Sequence, residues 1–228
     1  MEQSTPYARS RIASYGGRLQ VMGYHWDESW KHAIRIAGET GATLLHPFAT
    51  EDVIAGQGTI GLEMLADMPD VDTVVVSIGG GGLISGIAGA IKARGPDVRI
   101  VGVEIVGCPT LTAAIAVGRV VKLDKVDTRV PILGAHHRRD QSGHDPRLVD
   151  EFVLVEEDRP AAAARWVWSK IGLAVELGAA TAVSAVLDRV ASFAPDERIV
   201  VVLCGSGDDG IVRPEAIANA AHSSGDGT

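Results

Sequence analysis

Four consecutive glycines, Gly79 to Gly82, are the part of this sequence best suited to chemistry. A run without side chains lets several backbone N–H groups converge, and a following helix adds its positive end; together they make an anion site, most often for phosphate. A tight strand-to-helix turn that binds nothing needs only one glycine. The dinucleotide spacing G-x-G-x-x-G fails, because Ile84 or Ser85 stands where the third glycine is required. Glu104 nevertheless lies about twenty residues on, where a ribose-binding acid would sit. The ATP loop G-x-x-x-x-G-K-[ST] fails at Ile87, which follows Gly86 in place of lysine. A small phosphorylated ligand held by backbone groups remains.

Three further positions could take part. Cys204 opens a second glycine-rich stretch, Cys204-Gly-Ser-Gly-Asp-Asp-Gly210, directly after an apolar run; a buried structural cysteine is the simpler alternative. Glu176 is the one carboxylate of an apolar segment and needs a partner or a role, with charge at a helix N-terminus as the plain explanation. His136-His-Arg-Arg-Asp140 shows no third metal ligand and reads as a solvated loop.

The elements around these residues alternate between strand and helix, which places the chain in the α/β class. Val71–Ile78 is a β-branched apolar run without alternation, suited to a strand buried on both faces of a parallel sheet. Apolar residues at 83, 84, 87, 88 and 91 then follow the helical period up to Arg94. Strands are expected at Arg18–Gly23, Thr43–His46, Val98–Val103 and Arg198–Leu203. Helices are expected after residue 5 up to the Gly16-Gly17 stop, then over Trp26–Thr40, Val53–Met68, Pro109–Val117, Pro160–Ile171 and Gly178–Ala191. Gly118 to Asp150 is polar and poorly periodic, and the residues after Ala220 read as a frayed tail. In open parallel sheets ligands bind at the carboxyl ends of strands, so Gly79–Leu83 and Cys204–Asp208 are expected to be neighbours.

Length and composition set the context. The 228 residues allow one sizeable α/β domain, or a domain plus a fragment, and 46% hydrophobic with 22% charged residues suits a soluble enzyme. A net charge of −8 argues against nucleic acid or an anionic membrane as partner. No apolar run approaches a membrane span, and Met1-Glu-Gln-Ser-Thr-Pro6 is no signal peptide. The two cysteines, Cys108 and Cys204, lack metal-ligand spacing and read as reduced thiols in a cytoplasmic protein.

Three separated stretches carry a family resemblance. Ser77-Ile-Gly-Gly-Gly-Gly-Leu-Ile-Ser-Gly-Ile-Ala88 resembles the tetraglycine phosphate loop of fold-type II pyridoxal-phosphate enzymes, specifically the threonine/serine dehydratases. Arg99-Ile-Val-Gly-Val-Glu104 resembles the strand that follows it, and His46–Glu63 is similar to a signature upstream. The resemblance covers residues from about 5 to 210 and implies the tryptophan synthase β-like fold, with residues 1–42 a remnant of the smaller α/β domain and 43–228 the large cofactor domain. It implies pyridoxal 5'-phosphate as cofactor, with Gly79, Gly80, Gly81, Gly82 and Leu83 at its phosphate. Cys204 would face the pyridine nitrogen as a neutral partner, and Glu176, in Glu176-Leu-Gly-Ala-Ala180, would lie beside the ring. Pro131–Ala135 resembles a loop that passes over the cofactor. Glu104 matches an acid of the divalent-cation site that some relatives carry, but Thr110 stands where the second acid belongs, so no metal is expected.

The resemblance also implies an absence. The family's Schiff-base lysine stands in a Ser-x-Lys motif near the N-terminus, and a Ser-x-Gly-Asn segment cradles the ring; both lie upstream of everything that matches. The five lysines here are Lys31, Lys92, Lys122, Lys125 and Lys170. Ser29-Trp-Lys31 fits Ser-x-Lys literally, yet falls on an amphipathic helix well after the true site. The chain is therefore expected to lack the first third of a dehydratase and to be inactive alone, through a start set too far downstream, a broken gene or a truncated polypeptide. The expected family reaction removes ammonia from a small hydroxy-amino acid to give a 2-oxo acid, with racemase and β-replacement activities left open. A homo-oligomer is allowed. The readings kept beside it are a non-catalytic remnant serving as a cofactor-binding or interaction module and, weakened by the failed spacings, a nucleotide-binding domain.

Overall fold

Val74, Val75 and Val76 have no solvent exposure, because alternate residues of their strand face two separate apolar layers. The strand is β1 (Thr73–Ser77), the centre of a four-stranded sheet in the order β3-β2-β1-β4. The others are β2 (Arg99–Ile105), β3 (Glu151–Val155) and β4 (Ile199–Val201), and every pairing is parallel. The computed structural model describes residues 2, 4, 6–24, 26–119, 121, 123, 126–134, 146–208 and 210–211. Lys122, Lys125, the histidines at 136–137, Asp209 and the tail lie outside the described residues.

Seven α-helices are described: α1 (Pro6–Ser14), α2 (Trp26–Thr40), α3 (Glu51–Asp67), α4 (Gly82–Arg94), α5 (Thr110–Val117), α6 (Arg159–Ile171) and α7 (Leu177–Leu187). On one face of the sheet Val74, Val76 and Ile100 pack with Ile84, Ile87 and Ile91 of α4. On the other, Val75, Val101 and Val103 pack with Ala182 and Ala185 of α7. α3 and α4 approach backbone to backbone: a Cβ on Gly58 would stand 3.1 Å from the Gly86 carbonyl, and one on Gly61 2.9 Å from that of Ile87. Such contact brings the start of α3, and the residues just before it, against the turn that begins α4.

The chain divides into two compact units, Met1–His46 and Pro47–Thr228. In the first, α2 has the bounds that its periodicity predicts, and α1 ends before Gly16, whose φ of 76° suits glycine. The strands expected at Arg18–Gly23 and Thr43–His46 do not form. Apolar residues there favour extended backbone, but a strand also requires a ladder partner, and no described residue supplies one. In the second unit β3 escaped prediction, and α7 ends at Leu187, where Asp188 caps it, short of the expected Ala191.

Candidate active site

Each of the four glycines has its own reason to be there. Gly81 is the N-cap of α4 with φ 85°, left-handed backbone that glycine adopts without strain. Gly80 faces the ring of Phe48, which a Cβ would overlap, and Gly82 lies under the Phe48 backbone, with its Cα 2.9 Å from where a Cβ would be. Gly79 approaches Leu133 Cα at 3.2 Å and the Ile132 carbonyl at 3.4 Å by the same measure. Close passage of two other segments, as well as room for a ligand, therefore demands this run. Ile132 and Leu133 were marked only through the resemblance of Pro131–Ala135 to a loop over the cofactor, and Phe48 only within His46–Glu63; their packing on the glycines rests on tertiary contact that local pattern does not encode.

The turn still keeps the properties of an anion site. Gly82, Leu83 and Ile84 open α4, and the first N–H groups of a helix have no acceptor within it. The Ser85 N–H and hydroxyl both donate to the Gly81 carbonyl, at 3.0 and 2.7 Å, which fixes the turn. Ser77 Oγ accepts the Ala182 N–H at 2.9 Å and ties the end of β1 to α7.

β4 brings the second loop alongside. Val201 stands opposite Val75, and Cys204 follows three residues later on the loop that leaves the same end of the sheet as Ile78 and Gly79. Gly79–Leu83 and Cys204 thus both follow the carboxyl ends of adjacent parallel strands. Glu176 joins them from the start of α7: its carboxylate lies on Gly205, where a Cβ would overlap it. Desolvation, and secondly the Glu176 charge, push the Cys204 thiol up to about 11. The sulfur therefore keeps its proton at neutral pH. The turn Pro131–Leu133 covers this region from another side, Ile132 Cγ2 being 2.7 Å from a Cβ built on Gly178.

The chain matches the family model described as pyridoxal-phosphate dependent enzyme over residues 1–205. It belongs to that family, in its fold-type II branch. An L-threonine ammonia-lyase of Thermotoga maritima is 34% identical over 201 residues, covering 88% of this chain and 50% of the relative. A serine racemase of Oryza sativa subsp. indica is 32% identical over 203 residues, covering 87% and 60%. The solved structure of maize serine racemase gives a TM-score of 0.83 at 28% identity, over 97% of this chain and 68% of that one. The chain spans about half the length of the first of these curated relatives.

Pyridoxal phosphate is the family's cofactor, and part of this site fits it. The helix-start N–H groups suit a phosphate, and a protonated thiol on the adjacent loop suits a neutral ring nitrogen. In the second unit the described lysines are Lys92 and Lys170. Lys92 sits at the far end of α4, where its Nζ donates to the Val98 carbonyl at 2.9 Å and pairs with Asp150 at 2.8 Å. Lys170 lies in the last turn of α6, and Lys31 is exposed on α2. Glu104 serves the fold instead, since both its oxygens accept bonds from the start of α5. The donors are the Leu111 and Thr112 N–H groups (both 2.7 Å) and the Thr112 and Thr110 hydroxyls (2.6 and 3.2 Å).

Proposed function

We propose that the chain carries the cofactor cradle of a threonine/serine dehydratase-like lyase and lacks the lysine that anchors the cofactor. Pro47–Thr228 is then the large cofactor-binding domain and Met1–His46 a remnant of the smaller one. The observation that carries the reading is the glycine helix start after β1, whose first N–H groups suit a phosphate, with Cys204 on the loop after the adjacent strand β4. Pyridoxal phosphate supplies, when bound, an aldehyde that condenses with an amino group and a ring that delocalises charge from the neighbouring carbon.

In this reading the first N–H groups of α4 hold the phosphate. Cys204 presents its S–H to the ring nitrogen without forming a full charge, and Phe48 and Ile132 exclude water on either side. A neutral partner suits elimination, because it does not hold the ring protonated as a carboxylate would. The net reaction would take L-threonine to 2-oxobutanoate and ammonia without an oxidant. The two free thiols suit a reducing cytoplasm, and no helix among the described residues is long and apolar enough to cross a membrane.

The test adds pyridoxal phosphate to the purified chain, reduces with borohydride and maps adducts by mass spectrometry. Saturable, reversible binding without a specific lysine adduct is expected. Ammonia release from threonine or serine should not exceed that of the cofactor alone, since a positioned base is typically worth about 10²–10⁴-fold. One specific adduct on Lys31, with robust 2-oxobutanoate formation, would overturn the missing-anchor reading. No binding at all would instead favour a non-catalytic interaction module.

A further inference from the structure

The turn that covers the glycine run is held from its far side by one carboxylate. Leu133 wedges between two glycines, its Cδ2 being 3.5 Å from a Cβ built on Gly79 and 3.7 Å from one built on Gly178. Behind it, Val130 and Leu133 pack with Ile105 and Cys108 at the end of β2. The backbone that leads into the turn is tied to the same place. Asp127 N–H donates to the Gly107 carbonyl at 3.0 Å, and a Cβ on Gly107 would overlap the Asp127 carbonyl. Glu157, two residues beyond β3, completes the clamp. Its Oε1 accepts the Gly107 N–H at 2.8 Å; its Oε2 accepts the Arg129 N–H at 2.7 Å and the Thr128 hydroxyl at 3.1 Å. Thr128 Oγ1 in turn accepts the Val130 N–H at 3.0 Å, and the Val130 carbonyl accepts the Leu133 N–H at 3.0 Å. A chain of bonds therefore runs from Glu157 to the residue that touches Gly79 and Gly178.

We propose that Glu157 is a positioning residue of the cofactor cradle: by fixing residues 127–130 it seats Leu133 against Gly79 and Gly178 and sets how fast a bound phosphate ligand escapes. This rests on the reading of the glycine turn as a pyridoxal-phosphate cradle. Hydrogen bonds to a charged group are among the stronger ones, and losing one shifts a local opening equilibrium about tenfold or more. A ligand that leaves through the open form does so in proportion to that form's population. A glutamate that served only the fold would lower stability and leave the escape rate where it was.

The test uses pyridoxine 5'-phosphate, which has the ring and phosphate but no aldehyde, so surface lysines cannot capture it. Its release from the intact chain is compared with release from Glu157→Gln and Thr128→Val, alongside hydrogen exchange of the peptide over residues 126–134. Glutamine has a single acceptor oxygen, and its amide would point N–H groups at N–H donors. Thr128→Val is nearly isosteric and removes one hydroxyl, so it keeps the test open should Glu157→Gln not fold. Glu157→Gln should speed both exchange in this peptide and ligand release about tenfold or more, with the amides of β1 protected as in wild type. Thr128→Val should do the same by a smaller factor, about two- to tenfold. Faster exchange with unmoved release overturns the proposal, and so does unchanged exchange in both variants. If only Thr128→Val folds, its release rate decides alone. A wild-type chain that shows no saturable binding overturns the cradle reading and this proposal together, whereas wild-type binding with unmoved release in the variants overturns this proposal alone.

Discussion

At the amino ends of the four strands, acids face arginines. Arg198 pairs with Asp70 and Asp72, and Arg99 with Glu151 and Glu197 while donating to the Ser192 carbonyl at 2.8 Å. At the carboxyl ends of β2 and β3 the acids face neutral donors. Glu104 takes the start of α5, and Glu157 takes the N–H groups of Gly107 (2.8 Å) and Arg129 (2.7 Å) and the Thr128 hydroxyl (3.1 Å). One end is therefore a set of half-exposed ion pairs that salt and acid can loosen, and the other is a set of loops pinned by acceptors that need no cation. An anion-binding turn belongs at the second end, where glycines and N–H groups set the field.

The largest expected effect lies at the glycine turn. Gly82→Ala places a methyl group against the Phe48 backbone, which cannot swing aside as a side chain would. It should cost at least about 2–3 kcal/mol in urea unfolding and remove pyridoxal-phosphate binding. Gly89→Ala, on the same helix with open space around it, should be neutral or stabilising by about 0.5–1 kcal/mol. Equal stabilities for the two variants would show that Phe48 does not pass over the turn as described.

Next in size is Glu104→Gln. Its side-chain amide would direct N–H groups at the N–H groups that Glu104 now accepts, leaving buried donors without acceptors. A loss of about 1.5–3 kcal/mol is expected, from the usual range for hydrogen bonds to a charged group. Because its partners are backbone N–H groups and hydroxyls, 0.5 M salt, a Debye length of roughly 4–5 Å, should leave that loss unchanged. A loss that shrinks with salt would erase the distinction between the two ends.

How far the sequence spoke follows from the same contrast. The β1–turn–α4 unit and α2 were legible, since long apolar runs and helical periodicity are local properties. That the glycine turn and the Cys204 loop leave the same ends of adjacent strands was legible once both strands were expected in one parallel sheet. β3 was not: Glu151-Phe-Val-Leu-Val155 is short, lies between Asp150 and the acids at 156–158, and leaves Leu154 exposed at the sheet edge. The seat of Glu176 on Gly205 and the cover of Phe48 were invisible as well, because residues far apart in the chain make them.

The smallest expected effect tests the amino end. Asp72 is half-exposed, and the Arg198 side chain, and then the Arg198 N–H at 2.8 Å, hold its carboxyl down at about 2, from an ordinary 3.8. A depressed folded value means that the unfolded chain takes up the proton first. The contribution is therefore complete above the unfolded value, near pH 4, and is lost as pH falls through about 2. Wild type should exceed Asp72→Asn in Tm by a constant margin above that range, and the two curves should converge toward pH 2. Glu197, held low chiefly by the Thr73 hydroxyl, adds an acid slope of the same sign to both proteins and cancels in the difference. Salt should reduce the margin without removing it, because the guanidinium contact is screened while the N–H bond is not. A margin unchanged between pH 5 and pH 2 would mean that Asp72 titrates alike in folded and unfolded chains, and the arginine latch at this end would then carry no stability of its own.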